Sequence, residues 1–263
     1  MGRTIYLLVA YDGTDFHGWQ RQADLRTVQG EIEQTIRRVV RHPVCLIGCG
    51  RTDSGVHARG HVSSFQTTCE LPPEKFQHAL GSRLPQDISI IALRDAHPDF
   101  QATRSAQSKL YRYRIHNAPG RPVEHQTQRY AYHYWETLDV ERMQEAARHF
   151  VGEKDFAAMA NSGQARETTV RKILSCAIER HFDELRMDIE GTGFLYKQVR
   201  NIMGTLINVG RGHWQPGCVI DILESRDRAK GGPTAPARGL CLQWVRYPPH
   251  LLAPPESSDA GRL

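Results

Sequence analysis

Lys109-Leu110-Tyr111-Arg112-Tyr113-Arg114-Ile115 sets large apolar or aromatic side chains at Tyr111, Tyr113 and Ile115 and arginines between them. A period of two is that of a strand with one covered and one wet face. The alternation returns at Leu185-Arg186-Met187-Asp188-Ile189, a second half-buried strand in the same half of the chain. Further out, Thr4–Ala10 is apolar on both faces and reads as a central strand of a covered sheet. Further strands are expected at Val44–Gly48, Val62–Phe65, Ile88–Leu93, Val170–Ile178 and Leu240–Val245. Between them the period becomes helical. Val28, Ile32, Ile36, Val39 and Val40 form a stripe behind Thr27 as N-cap, with Glu31 in the first turn, Arg37, Arg38 and Arg41 in the last, and Pro43 as the stop. Further helices are expected at Glu74–Leu84, from Asp139 as cap to Phe150, and at Phe194–Val209. Mixed runs of this kind predict an α+β fold, with helices on largely antiparallel sheet. The two halves share an element inventory, which divides the chain into 1–105, 106–247 and a proline-rich tail at 248–263 expected to fray.

The chain has 263 residues, 40 % of them hydrophobic and 24 % charged. That composition carries a sizeable core and excludes a disordered or collagenous chain. Its longest apolar run, Ile5–Tyr11, is far short of the ~20 residues that span a bilayer. No N-terminal run has signal-peptide flanks, and Tyr6 stands where a myristoylation motif needs Ser or Thr, so a cytoplasmic protein without a membrane anchor is expected. Lys and Arg number 34 against 29 acidic residues, a net charge of +5 that permits a nucleic-acid partner without requiring one. The six cysteines fall in no paired framework and read as reduced thiols.

The most unusual stretch is Gly48-Cys49-Gly50-Arg51-Thr52-Asp53-Ser54-Gly55-Val56-His57-Ala58-Arg59-Gly60. Its four glycines allow positive φ and close approach of backbone to a ligand. Asp-Ser-Gly is also ordinary turn chemistry, so a tight turn and a functional loop both fit. A carboxylate flanked by Arg51 and Arg59 favours the second reading, because that setting suits a nucleophile or base. No Gly-Lys-Ser/Thr follows, which excludes a Walker phosphate loop, and no Gly-x-Ser-x-Gly occurs, which excludes a nucleophile elbow. His57, His61 and Cys49 invite a zinc reading, but His-x-x-x-His binds metal best on a helix and this loop is not one; no metal site is expected.

In the Phe194–Val209 helix, Leu195, Val199, Ile202, Leu206 and Val209 form one row and Tyr196, Met203 and Ile207 most of the next. Arg200 falls within that second row, while Lys197, Gln198, Asn201, Thr205 and Asn208 gather on the far side. Such an arginine is either half buried with a partner or snorkels to water.

Four blocks then come together: Tyr11-Asp12-Gly13-Thr14 with Gly18-Trp19-Gln20-x-Gln22; Gly50-Arg51-Thr52-Asp53-x-Gly55-Val56-His57-Ala58; Lys109-x-Tyr111-x-Tyr113; and Val199-Arg200-Asn201-Ile202-x-Gly204. In this order they resemble the tRNA pseudouridine synthase A family, over a match from about residue 4 to Tyr247. The resemblance implies two similar α/β subdomains, each a mostly antiparallel sheet flanked by helices, with a basic active-site cleft between them. It also implies a homodimer that holds tRNA across both subunits. The implied reaction isomerises uridine to pseudouridine in the anticodon stem-loop, at positions 38, 39 and 40. It breaks the N1–C1′ bond and rejoins the base through C5, changing no oxidation state, so no cofactor and no metal are implied.

By the same resemblance Asp53 is the catalytic carboxylate, by attack on C1′, addition to C6 or help in forming a glycal. Tyr111 matches the tyrosine that packs on the base and is placed for proton removal from C5. Arg200 matches the basic residue that pairs with the carboxylate, and Arg51 the one that helps hold the flipped nucleotide. Arg59 and Lys109 join as substrate-binding candidates, and Arg21, Arg112 and Arg114 as phosphate contacts. A non-catalytic RNA-binding protein would lack Asp53 or Tyr111, and both are present. Two departures stand out. The family's Phe-His-Ala-Arg is replaced by Phe100-Gln101-Ala102-Thr103-Arg104, an arginine displaced by one residue, which on a strand turns it to the other face. Lys154 stands where a histidine is usual.

Overall fold

The computed structural model describes residues 2–162 and 168–254. They form an α+β protein of two compact units, one built from residues 2–52, Ala58–Gln107 and the run from Val245, the other from Asp53–His57 and the described residues of Ser108–Trp244.

In the first unit, β1 (Arg3–Tyr11), α1 (Val28–Val40), β2 (Ile47–Gly48), β3 (His57–Thr67), α2 (Pro73–Gly81) and β4 (Ile88–Ala96) follow one another. β1 runs antiparallel to β3 and to β4, with Ile5 opposite Phe65 on one side and Asp95 on the other. Ile5, Leu7 and Val9 are fully buried on one face, while on the other Thr4 and Tyr6 are buried and Leu8 and Ala10 only half-buried. The cover expected on both faces is complete on one and partial on the other. Val28, Ile32 and Ile36 of α1 are also buried. Each such side chain contributes about 1.5–3 kcal/mol, so this stripe rather than helix propensity holds α1 in place. The Thr27 hydroxyl accepts from the Gly30 N–H at 3.3 Å as the expected N-cap. The strand expected over Val44–Gly48 shortens to the two residues of β2, which pair with Ser63 and Ser64.

The second unit holds β5 (Ser108–His116), α3 (His125–Tyr130), β6 (Tyr132–His133), α4 (Val140–Arg148), β7 (Gly152–Asp155), β8 (Val170–His181), β9 (Glu184–Gly191), α5 (Gln198–Gly210), α6 (Cys218–Ser225) and most of β10 (Leu240–Arg246). Its strands lie in the order β10-β5-β9-β8-β7, with β6 parallel to β5. Tyr111, Tyr113 and Ile115 stand opposite Ile189, Met187 and Leu185, so the two alternating runs share one buried face. Asp139 caps α4 by accepting from Arg142 N–H at 3.1 Å.

Two segments cross the division expected at 105/106. Asp53–His57 packs with the second unit, held there by an ion pair to α5 and by Gly55, whose added Cβ would lie 3.2 Å from that of Ala237. The run from Val245 returns to the first unit, where Tyr247 donates to the Ala102 carbonyl at 2.8 Å and His97 N–H to that of Leu251 at 3.2 Å. Pro249–Leu251 is accordingly a 3-10 turn rather than the start of a frayed tail, and residues 255–263 lie outside the described residues.

Candidate active site

The glycine-rich stretch is built by close approach. A Cβ on Gly48 would sit 2.6 Å from the Trp19 indole nitrogen and 2.9 Å from the His61 ring, so only glycine fits. Trp19 stacks on His61 with centroids 3.7 Å apart, and His61 Nε2 lies 3.0 Å from the Gly50 carbonyl. The Trp19 N–H donates to the Thr52 carbonyl at 3.1 Å, and the Thr52 hydroxyl shares a hydrogen bond of 2.8 Å with Tyr11. These contacts fix the backbone up to the residue before Asp53. The next four residues form a turn closed by Val56 N–H to the Asp53 carbonyl at 3.1 Å, with Gly55 at φ +78 in the position where a type II turn demands it. The stretch is not loop throughout. His57–Gly60 begin β3, so His57 and His61 lie on a strand, and among the described residues no three metal-ligating side chains come together.

Asp53 Oδ2 accepts from Arg200 Nη1 at 2.8 Å, with side chains only 18 % and 13 % exposed. The snorkelling alternative is thereby excluded. Arg200 Nε donates to the Ala235 carbonyl at 2.7 Å, and the Arg200 carbonyl accepts from Ala235 N–H at 3.1 Å. Residue 235 therefore grips residue 200 at both side chain and backbone, leaving Nη1 aimed at the carboxylate. A charge-assisted bond of this length in so little water is the strong kind.

Tyr111 is 9 % exposed and packs edge-to-face on Phe194, with centroids 5.2 Å apart. Two residues on, Tyr113 is wholly buried and donates to the Pro236 carbonyl at 2.7 Å. Burial pushes its phenol far up, against the pull of the nearby Arg200 charge. The strap through Ala235 and Pro236 thus ties α5 to the face of β5 that carries Tyr111.

The other expected site residues vary in exposure and partners. Arg51 and Arg59 are exposed in the first unit, and Lys109 is half-buried opposite Gly191. Arg112 and Arg114, expected as phosphate contacts, each have a carboxylate partner. They lie on the face of β5 away from Tyr111, Arg112 held to Asp188 by bonds of 2.7 and 2.6 Å and Arg114 Nε to Glu184 at 2.9 Å. The bond to Asp188 raises the Arg112 guanidinium above its ordinary value. Asp188 answers Arg112 one to one, whereas Glu184 is shared by Arg114 and Arg186. Arg21 is largely exposed and pairs with Glu33 at 3.3 Å. Residues 102–105 form turns rather than a strand, so the displaced Arg104 is not governed by strand parity; Thr103 Oγ1 donates to the Gly48 carbonyl at 2.6 Å.

A tRNA pseudouridine synthase family model matches residues 7–103 and 146–248. The chain belongs to that family. As a tRNA pseudouridine synthase it isomerises uridine to pseudouridine in tRNA. The tRNA pseudouridine synthase A of Acetivibrio thermocellus is 43 % identical over 247 residues, covering 93 % of this chain and all of that one. That of Pelobacter propionicus is 44 % identical over 245 residues, covering 93 % and 100 %. Among solved structures, a chain in the crystal structure of a Cbf5-Nop10-Gar1 complex aligns at TM-score 0.31 and 13 % identity, covering 77 % of this chain and 54 % of that one, too weak a likeness to carry an argument.

In this synthase the polar far side of α5 is dry at its centre. Gln198, Asn201 and Thr205 are fully buried, and the strap Gly231–Ala237 covers Asn201 and Thr205. Gly204 and Gly232 make that possible: a Cβ on Gly204 would lie 1.6 Å from the Pro233 carbonyl oxygen, and one on Gly232 2.4 Å from the Thr205 nitrogen. Sequence periodicity does not reveal the strap, because it has none. The signal that could have found it is Gly231-Gly232-Pro233, small residues where a helix must meet backbone.

Proposed function

We propose that Asp53 is the catalytic carboxylate of this synthase, that Tyr111 packs on the target base, and that uridines 38, 39 and 40 of the tRNA anticodon stem-loop are its substrates. The observation that carries the first part is the Asp53–Arg200 pair, a carboxylate given one direction by a guanidinium that is itself held from behind by Ala235. Attack on C1′, addition to C6 and glycal formation all ask for that fixed direction. Tyr111 supports its role by presenting a ring already packed on Phe194, on the strand face that the strap ties to Arg200. Arg51 and Arg59 support phosphate binding, being exposed and without a carboxylate partner among the described residues. The family's dimeric, cytoplasmic habit extends to this chain in the same reading.

Chemical mapping of pseudouridine in tRNA incubated with the purified protein tests the substrate assignment. New pseudouridine is expected at 38, 39 or 40 wherever uridine stands there. Product confined to another stem or loop would overturn it. Sedimentation equilibrium at twice the chain mass is expected for the dimer.

A further inference from the structure

Arg228 opens a short 3-10 turn that Asp227 caps by accepting from Ala229 N–H at 2.9 Å. Its guanidinium reaches three chain segments at once. Nη2 donates to Asn201 Oδ1 at 2.9 Å and to Thr234 Oγ1 at 3.3 Å, and Nε points at Asn161 Oδ1 at 3.5 Å. The Thr234 hydroxyl in turn donates to Asn201 Oδ1 at 2.7 Å. Asn201 uses its amide on the Met159 carbonyl and on Asn161 Oδ1, both at 2.8 Å.

The acceptors around Arg228 are all neutral, and none of the described residues gives it a carboxylate. Burial pulls its guanidinium below the ordinary value, so the charge stands there at a cost in solvation. A side chain that merely filled space would avoid that cost. What the arginine supplies is a planar fork that no lysine reproduces.

The residues it pins adjoin the site. Asn201 follows Arg200, and Ala235, which grips Arg200, follows Thr234. Pro236, which receives the Tyr113 hydroxyl, comes next. We propose that Arg228 is a positioning residue for the isomerisation: by fixing Thr234 against Asn201 it sets the Ala235 carbonyl, which sets the fork of Arg200 and so the direction of the Asp53 carboxylate. This rests on the reading of Asp53 as the catalytic group.

The test is a double-mutant cycle on single-turnover tritium release from 5-tritiated uridine in tRNA, with half-saturating enzyme concentration read from the same data. Arg228→Met is expected to slow the maximal rate about ten-fold or more, because small misplacements of a reacting group are costly, while half-saturation stays within about two-fold. Arg228→Lys recovers part of the rate. In an Arg200→Ala background, Arg228→Met is expected to cost almost nothing further, because its route of action is gone. Thr234→Val and Thr234→Ser repeat the comparison should Arg228→Met fold poorly by circular dichroism: Val loses both hydrogen bonds and slows the reaction, and Ser keeps both and restores most of the rate.

Full losses multiplying in the double variant would overturn the proposal, as would a weakened half-saturation with unchanged maximal rate, which marks an RNA contact. Asp53→Asn run in parallel separates the two readings. Activity retained there overturns the role of Asp53, whereas an inactive Asp53→Asn beside a full-rate Arg228→Met overturns the role of Arg228 alone.

Discussion

α1 and α5 are each 13 residues long, and they are held by different means. α1 has a side-chain cap at Thr27, a left-handed end at Arg41, and Gln34, Arg37 and Arg38 in water. α5 has no side-chain cap, begins after Lys197 at φ 59, and leaves only Arg200 and Asn208 incompletely buried. A lysine in the left-handed region costs on the order of 1 kcal/mol, and α5 recovers it through surroundings that α1 lacks. One helix is a piece of scaffold lying on its sheet. The other is enclosed by helix and strap, and its buried polar side fixes the strap against Arg200, whose guanidinium reaches the Asp53 carboxylate. Polar residues on a helix therefore mean solvent in one case and a second packing partner in the other.

The contrast breaks most violently at Gly204→Ala. The new methyl would collide with the Pro233 carbonyl, a backbone atom that cannot step aside. A loss of about 4 kcal/mol or more is expected from urea unfolding, together with loss of activity as the strap lifts.

Arg200→Ala follows. It leaves a poorly solvated carboxylate without its partner, at about 3 kcal/mol in stability, and slows tritium release about a hundredfold at neutral pH. Arg200→Lys keeps the charge, loses the fork and should fall between. Full activity in Arg200→Ala would mean that the pair is structural only.

The smallest step compares the two polar faces directly. Asn201→Ala strands Arg228 and Thr234 and should destabilise by about 1–3 kcal/mol, whereas Gln34→Ala on the wet side of α1 should move stability by no more than about 0.5 kcal/mol. Equal effects on urea midpoints would erase the distinction between the helices.

The same contrast explains what could be read from the chain. α1 was legible almost to the residue because stripe, cap and stop agree, and β5 with β9 because alternation leaves one register that buries Tyr113 and Met187. Arg200 stood out because a charge in an apolar row asks for a partner. The strap did not, since Arg228–Ala237 has neither period nor secondary structure beyond single turns, and its role depends on contacts across the fold. For the same reason Arg112 and Arg114 looked like free cations. Their partners Asp188 and Glu184 lie 76 and 70 positions on, and the β5–β9 register brings them opposite and diagonal.

The central claim is that Asp53 supplies chemistry rather than binding. Asp53→Asn keeps the shape and removes the carboxylate, so tritium release from 5-tritiated uridine in tRNA should fall by at least about a hundredfold. Filter-binding affinity for the same tRNA should stay within about three-fold, because phosphate contacts carry most of it. Turnover by the variant above about a tenth of wild type, at unchanged affinity, would contradict the account.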